Sequence, residues 1–110
     1  MTNSLNQAGL RPDQTETTST TISVGTSVTP VALNNPSRLS GLFINLSTAD
    51  IYLGNDQNVS IGNGILLVAS GGSFQVDQWN DYGFAGFPFY AIATAITSPL
   101  QFVETNVNNL

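Results

Sequence analysis

Asp77 and Asp81 are the carboxylates whose spacing first suggests chemistry, standing four residues apart in QVDQWNDYG. Two carboxyl groups facing each other across a cleft could serve as acid and base on a glycosidic bond. These two sit in a loop dense in Asn, Gly and aromatic residues, where an aspartate ordinarily bonds its own backbone to make a turn. Turn capping is therefore the expected role. Asp56 reads the same way. A calcium loop needs acidic ligands at alternate positions, and Asn55 to Gly64 (NDQNVSIGNG) offers one acid among asparagines.

Other reagents are missing. The chain contains no Cys and no His, which removes the thiolate nucleophile, the commonest general base and the best zinc ligands. Gly62-Asn63-Gly64 and Gly71-Gly72 lack the strand, turn and helix context in which glycines cradle phosphate. The expectation is a protein that is not an enzyme and that carries no cofactor and no metal.

Charge narrows the partners. Across 110 residues, charged side chains make up 8% of the sequence, lysine is absent, and the net charge is −5; a typical soluble domain has roughly 25% charged residues. A surface of Ser, Thr, Asn and Gln results, which tolerates close approach by copies of itself. The only basic residues are Arg11 and Arg38. No basic patch exists to neutralise phosphate, so neither nucleic acid nor an anionic membrane is an expected partner. Met1 to Thr20 has no apolar run of the signal-peptide kind, and no stretch approaches the roughly 18 apolar residues of a span. Export by the general secretory route is not expected.

The elements that must position these residues are strands. A chain of this length supports one domain with one core, and its apolar residues alternate. Arg38 to Gly54 (RLSGLFINLSTADIYLG) reads as a β-hairpin: Leu42, Ile44 and Leu46 alternate with Phe43, Asn45 and Ser47, the turn is Ser47-Thr48-Ala49-Asp50, and Ile51 and Leu53 point one way. Ile65 to Ala69, expected to be buried on both sides, and Phe74 to Asp77 read as a second hairpin around Ser70-Gly71-Gly72-Ser73. Val59 and Ile61, between the two, are expected to touch the core. Thr20 to Gly25 and Ser27 to Leu33 are β-rich, and Pro30 places the latter at a sheet edge or on a bulge. Leu100 to Val107 is the last strand. The predicted fold is all-β, a single sandwich or jelly-roll-like domain of about seven or eight short antiparallel strands, residues 20–110. Residues 1–19 precede it as a polar segment. They read either as a tail or as an arm docking on a neighbouring subunit, with Leu5, Leu10 and Arg11 as anchors.

Three groups remain as candidate sites. Glu104 is in phase with Leu100 and Phe102, so it points inward, where an unpaired charge is costly; Arg38, the one cation inside the domain, is its natural partner, or else grips an acidic ligand. Trp79, Tyr82, Phe84 and Phe87, in Gln78 to Phe89, read either as a plug closing one end of the sandwich and packing a subunit contact, or as a recognition loop. Ala91, Ala93 and Ala95 form a row of small side chains that lets another backbone approach, from this chain or from a neighbouring copy.

The order of Arg38-Leu39, Leu42 to Ser47, Ile51-Tyr52-Leu53-Gly54, Gly64 to Leu67, Gly71 to Phe74, Tyr90 to Ala93 and Val103-Glu104 resembles small β-sandwich virion proteins of tailed bacteriophages: capsid decoration, minor head and neck proteins. The likeness runs from about Thr20 to Glu104. It implies a virion subunit, assembled in the host cytoplasm, that binds copies of itself and a major capsid or other virion protein, with no catalytic residues to carry over. The acidic balance agrees with an outer-surface position. The alternative is a receptor- or carbohydrate-binding module of a phage tail or fibre, with Trp79, Tyr82, Asp77 and Asp81 against a glycan.

Overall fold

The computed structural model describes residues 15–107. They form eight antiparallel strands: β1 (Thr15–Val24), β2 (Thr29–Ala32), β3 (Arg38–Asn45), β4 (Ile51–Gly54), β5 (Ile65–Leu67), β6 (Ser73–Asp77), β7 (Phe89–Ala93) and β8 (Ser98–Val107). Between β6 and β7 lie one helical turn, α1 (Gln78–Asp81), and a 3₁₀ turn (Tyr82–Gly86). One sheet has the order β1-β8-β3-β6 and the other β2-β7-β4-β5. This is a double-sheet jelly roll. Strand β1 begins at Thr15, so the last five residues of the segment read as an arm belong to the sandwich.

The strand order corrects both hairpins. Strands β3 and β4 lie in different sheets, and so do β5 and β6. The hairpin that does form joins β4 to β5 across residues 55–64, pairing Ile51 with Leu67 and Leu53 with Ile65. Period-two alternation fixes that a segment is a strand but not which sheet the next strand joins. Five residues, 46–50, reach up to roughly 17 Å, enough to cross the roughly 10 Å between packed sheets. The turn signal at Ser47 to Asp50 serves that crossing.

The faces also differ from the simplest reading. Phe43 and Asn45 are fully buried, whereas Leu42 and Ile44 are half-buried on the outer face and Leu46 is exposed. The inner phase goes to Phe43 because an aromatic cluster fills the space between the sheets. Its ring stacks on Phe102 at 4.7 Å and meets Phe89 at 4.8 Å, with Phe74 at 6.4 Å. Burying one such side chain is worth about 1.5–3 kcal/mol. Gly41 lies between Arg38 and Phe102, where an added Cβ would stand 3.2 Å from the Phe102 ring. Val24, Ile51, Leu53, Leu67, Val76 and Leu100 complete the core. Strand β5 buries only Leu67, since Leu66 faces solvent; Val59 is buried but Ile61 is exposed.

Proline has the expected effect. Strand β2 is an edge, Pro30 lies opposite Tyr90, and the register shifts between Pro30 and Ala32. A residue without an N–H fits there because no central ladder loses a bond.

Candidate functional site

Arg38 is the buried charge around which one end of the sandwich is built. It starts β3 and is 2% exposed. Its Nε donates to Glu104 Oε2 at 2.8 Å. Its Nη1 donates to the carbonyls of Ala85 and Phe87, and its Nη2 to that of Leu33 at 2.8 Å. The guanidinium carbon stands 5.2 Å from the Phe102 ring centre. One side chain therefore ties the β2-β3 connection, the 3₁₀ turn and β8 together, using the fork of donors that lysine lacks. With its donors aimed at protein carbonyls and at Glu104, Arg38 is a structural clamp. Four of its five N–H groups are taken by protein oxygens, which leaves one on Nη2 for the reading in which it grips an external acidic ligand.

Beside the clamp a cavity of about 370 Å³ opens between the edges β1 and β2, walled by Thr20, Ile22, Val31, Leu33, Phe102 and Glu104. Its one carboxylate, Glu104, is held by Arg38 Nε.

The aspartates cap turns. Asp77 Oδ1 accepts the N–H of Asn80 at 2.8 Å, and Asp81 Oδ2 accepts that of Asp77 at 2.9 Å. Asp56 Oδ1 accepts the N–H of Asn58 at 2.9 Å. Asp77, at the end of β6, and Asp81, at the end of α1, are thus both turned onto the same local backbone and do not face each other across a cleft. Among the described residues no group of three acidic, His or Cys side chains could hold a metal ion.

The aromatic stretch divides. Phe84 packs on the core with its ring edge-on to Phe89 at 5.7 Å, and Ala85 is buried, so this part closes the end of the sandwich. Phe87 stays exposed beside Phe84, at 5.4 Å. Trp79 goes elsewhere. It lines a shallow cleft of about 250 Å³ with Leu39, Ser40, Gln75, Asp77 and Thr105. Tyr82 stands in the 3₁₀ turn.

Of the two coverings open to the alanine row, this chain supplies its own for two of the three residues. Ala91 and Ala93 are buried in the core, covered by this chain's own second sheet, and Ala95 lies beyond the end of β7 in an exposed turn. Alternation put Ala91 and Ala93 on one face correctly, but that face is internal and can offer nothing to a neighbour. The arm residues Leu5, Leu10 and Arg11 lie outside the described residues.

The surfaces that remain are sheet faces, loop tips and edges. On the outer face of the β2-β7-β4-β5 sheet, Tyr52 stands between Leu66 and Ile92, and Tyr90 between Pro30 and Gly54. On the other sheet, Leu42 and Ile44 are flanked by Gln75, Ser73, Val103 and Gln101, and the hydroxyls of Thr17 and Thr105 meet at 3.0 Å. Neither central field carries a charge. Leu46, Val68 and Ile96, all exposed, stand on three connections at one end of the sandwich.

Sequence reasoning missed Asn45. It is fully buried; its Nδ2 donates to the carbonyls of Ala49 and Leu67 at 2.8 Å, and its Oδ1 accepts the N–H and hydroxyl of Ser47. It is the pivot at which the chain leaves one sheet for the other. The available signal was an asparagine in phase with Phe43.

The fold and site define an eight-stranded jelly-roll sandwich whose charged core residue is a clamp. No protein-family model matches the chain, and no curated protein matches it. Among solved structures it is similar to a chain described under "Bacillus endospore appendages form a novel family of disulfide-linked pili". That likeness has a TM-score of 0.50 at 10% identity, over 86% of this chain and 88% of that one. At that identity the likeness is one of fold.

Proposed function

We propose that this chain is a structural subunit of a bacteriophage particle, a capsid decoration or minor head protein that stabilises the shell by oligomeric assembly on a major capsid protein. The observation that carries this reading is the surface. Both outer sheet faces are built from hydroxyls, amides and a few apolar side chains without a central charge, which suits broad contact between protein copies. The jelly roll agrees, since viral capsid domains use it, although lectins and cupins do as well. The pilus chain of similar fold is built into an appendage; this chain has no cysteine, so any assembly it makes is held without disulfides. Residues 1–14 act in this reading as the anchoring arm.

Mass spectrometry of purified particles is expected to find the protein in a fixed ratio to the major capsid protein. Particles lacking it should open at lower temperature. A chain beginning at Thr15 keeps all eight strands and should lose occupancy. Absence of the full-length protein from particles contradicts the proposal.

A glycan-binding role is the second reading, and the Trp79 cleft favours it: an indole beside Asp77, Gln75 and threonine hydroxyls is the mix of stacking face and polar rim that sugars use. Replacing Trp79 by Ala removes the stacking face. In that reading the variant stays folded and loses binding on a glycan array by more than about tenfold; unchanged array signals, or none from the parent protein, reject it.

A further inference from the structure

The four sheet edges of this sandwich are not alike. Strand β2 carries Pro30 and a register shift, β5 is three residues long, and β6 is five residues long, ends on Asp77 and runs straight into α1. Shortness, proline, bulges and charge are the means by which proteins keep an open edge from pairing. Strand β1 has one of them only, a single charge one residue from its start. It runs ten residues, Thr15–Val24, in unbroken register with β8, without Gly, Pro, Lys or Arg, and Glu16 is its one charge. The peptide groups of residues 16–24 that point away from β8 have no partner among the described residues.

We infer that β1 pairs antiparallel with β1 of a second copy, joining two sandwiches through one continuous eight-stranded sheet. The inference rests on the assembly reading above and names the self-contact. Length selects the occupant. The only other described strand of ten residues is β8, and it is already flanked by β1 and β3. A two-fold axis through the joint keeps outer residues opposite outer residues, which centres the pairing on Ser19 or on Thr20. Either centre sets Ser and Thr against one another along the middle of the joint, a favourable class of cross-strand pair. Either centre also sets Glu16 opposite Ile22 or Val24, never opposite the second Glu16. The pairing is isologous and closed, so it consumes both exposed edges and stops at two chains. An edge with one gatekeeper is safe when a partner always covers it.

The absence of cysteine makes the test direct. Single replacements Glu16→Cys, Ser19→Cys, Thr20→Cys and Ser23→Cys are made in the full chain and oxidised mildly. Opposed residues bring their Cβ atoms to about disulfide distance, so Ser19→Cys or Thr20→Cys should cross-link about tenfold faster than Glu16→Cys or Ser23→Cys. In parallel, Ser19→Lys puts two like charges across the joint. It should halve the native mass while keeping the β-sheet circular dichroism, and Ser19→Thr should keep the parent mass. Equal or absent cross-linking at all four positions, or a folded Ser19→Lys protein of parent mass, overturns the pairing. Occupancy of particles is scored separately. A chain found in particles that does not cross-link at the centre overturns the edge contact and leaves the particle role standing; a cross-linked dimer absent from particles does the reverse.

Discussion

Replacement of Arg38 by alanine is expected to remove about 3–5 kcal/mol of stability, the usual cost of breaking a buried pair from one side. Small domains have about 5–15 kcal/mol in total, so the variant should be largely unfolded or close to it. Two consequences of the substitution add up. Glu104, 20% exposed, loses the cation at 2.8 Å, and the carbonyls of Leu33, Ala85 and Phe87 lose their donors. Urea unfolding followed by Trp79 fluorescence measures the loss as a lowered midpoint at unchanged slope. Pairing Arg38→Met with Glu104→Gln removes both charges and refills part of the volume, so this double variant should recover part of the loss. A shift below about 1 kcal/mol for Arg38→Ala contradicts the clamp and means that water reaches those carbonyls.

The second large effect is at Asn45. Alanine there deletes four side-chain hydrogen bonds, two donated to Ala49 and Leu67 and two accepted from Ser47. At about 1 kcal/mol each, with some replaced by water at the loop, the expected loss is about 2–4 kcal/mol. Asn45→Asp is the sharper control. It keeps the two acceptor contacts but replaces the Nδ2 donor with oxygen facing two carbonyls, so it should cost at least as much as alanine. A thermal melt in which Asn45→Asp matches the parent protein contradicts the pivot.

These two residues show what was legible in the sequence. Glu104 sits in phase with Leu100 and Phe102, and alternation alone carries it to the inner face opposite Gly41. The three carbonyls on Arg38 could not be read, because they come from connections whose path depends on the whole fold. Pro30 announced an edge because a missing N–H has a local consequence. Strand partners had no such local mark: Ser47 to Asp50 and Ser70 to Ser73 look like hairpin turns, yet each carries the chain between sheets. The inner face of β3 was hidden for a related reason. Leu42, Ile44 and Leu46 outweigh Phe43, Asn45 and Ser47 in hydropathy. Aromatic packing against Phe102 and Phe89, together with a fully bonded asparagine, nevertheless draws the second set inward.

The outer faces follow from the same assignment. Leu42, Ile44, Tyr52 and Ile92 are left partly exposed on two uncharged fields, and the long edge β1 adds a third surface. In the proposed assembly these surfaces are the area available for burial against copies or a shell.

The most direct test of this account is the native mass of residues 1–110 by light scattering across a concentration series. Assembly with a two-fold β1 joint requires a discrete oligomer with an even number of chains, stable to dilution through the micromolar range. A monomer at every concentration contradicts assembly as the intrinsic property of this protein.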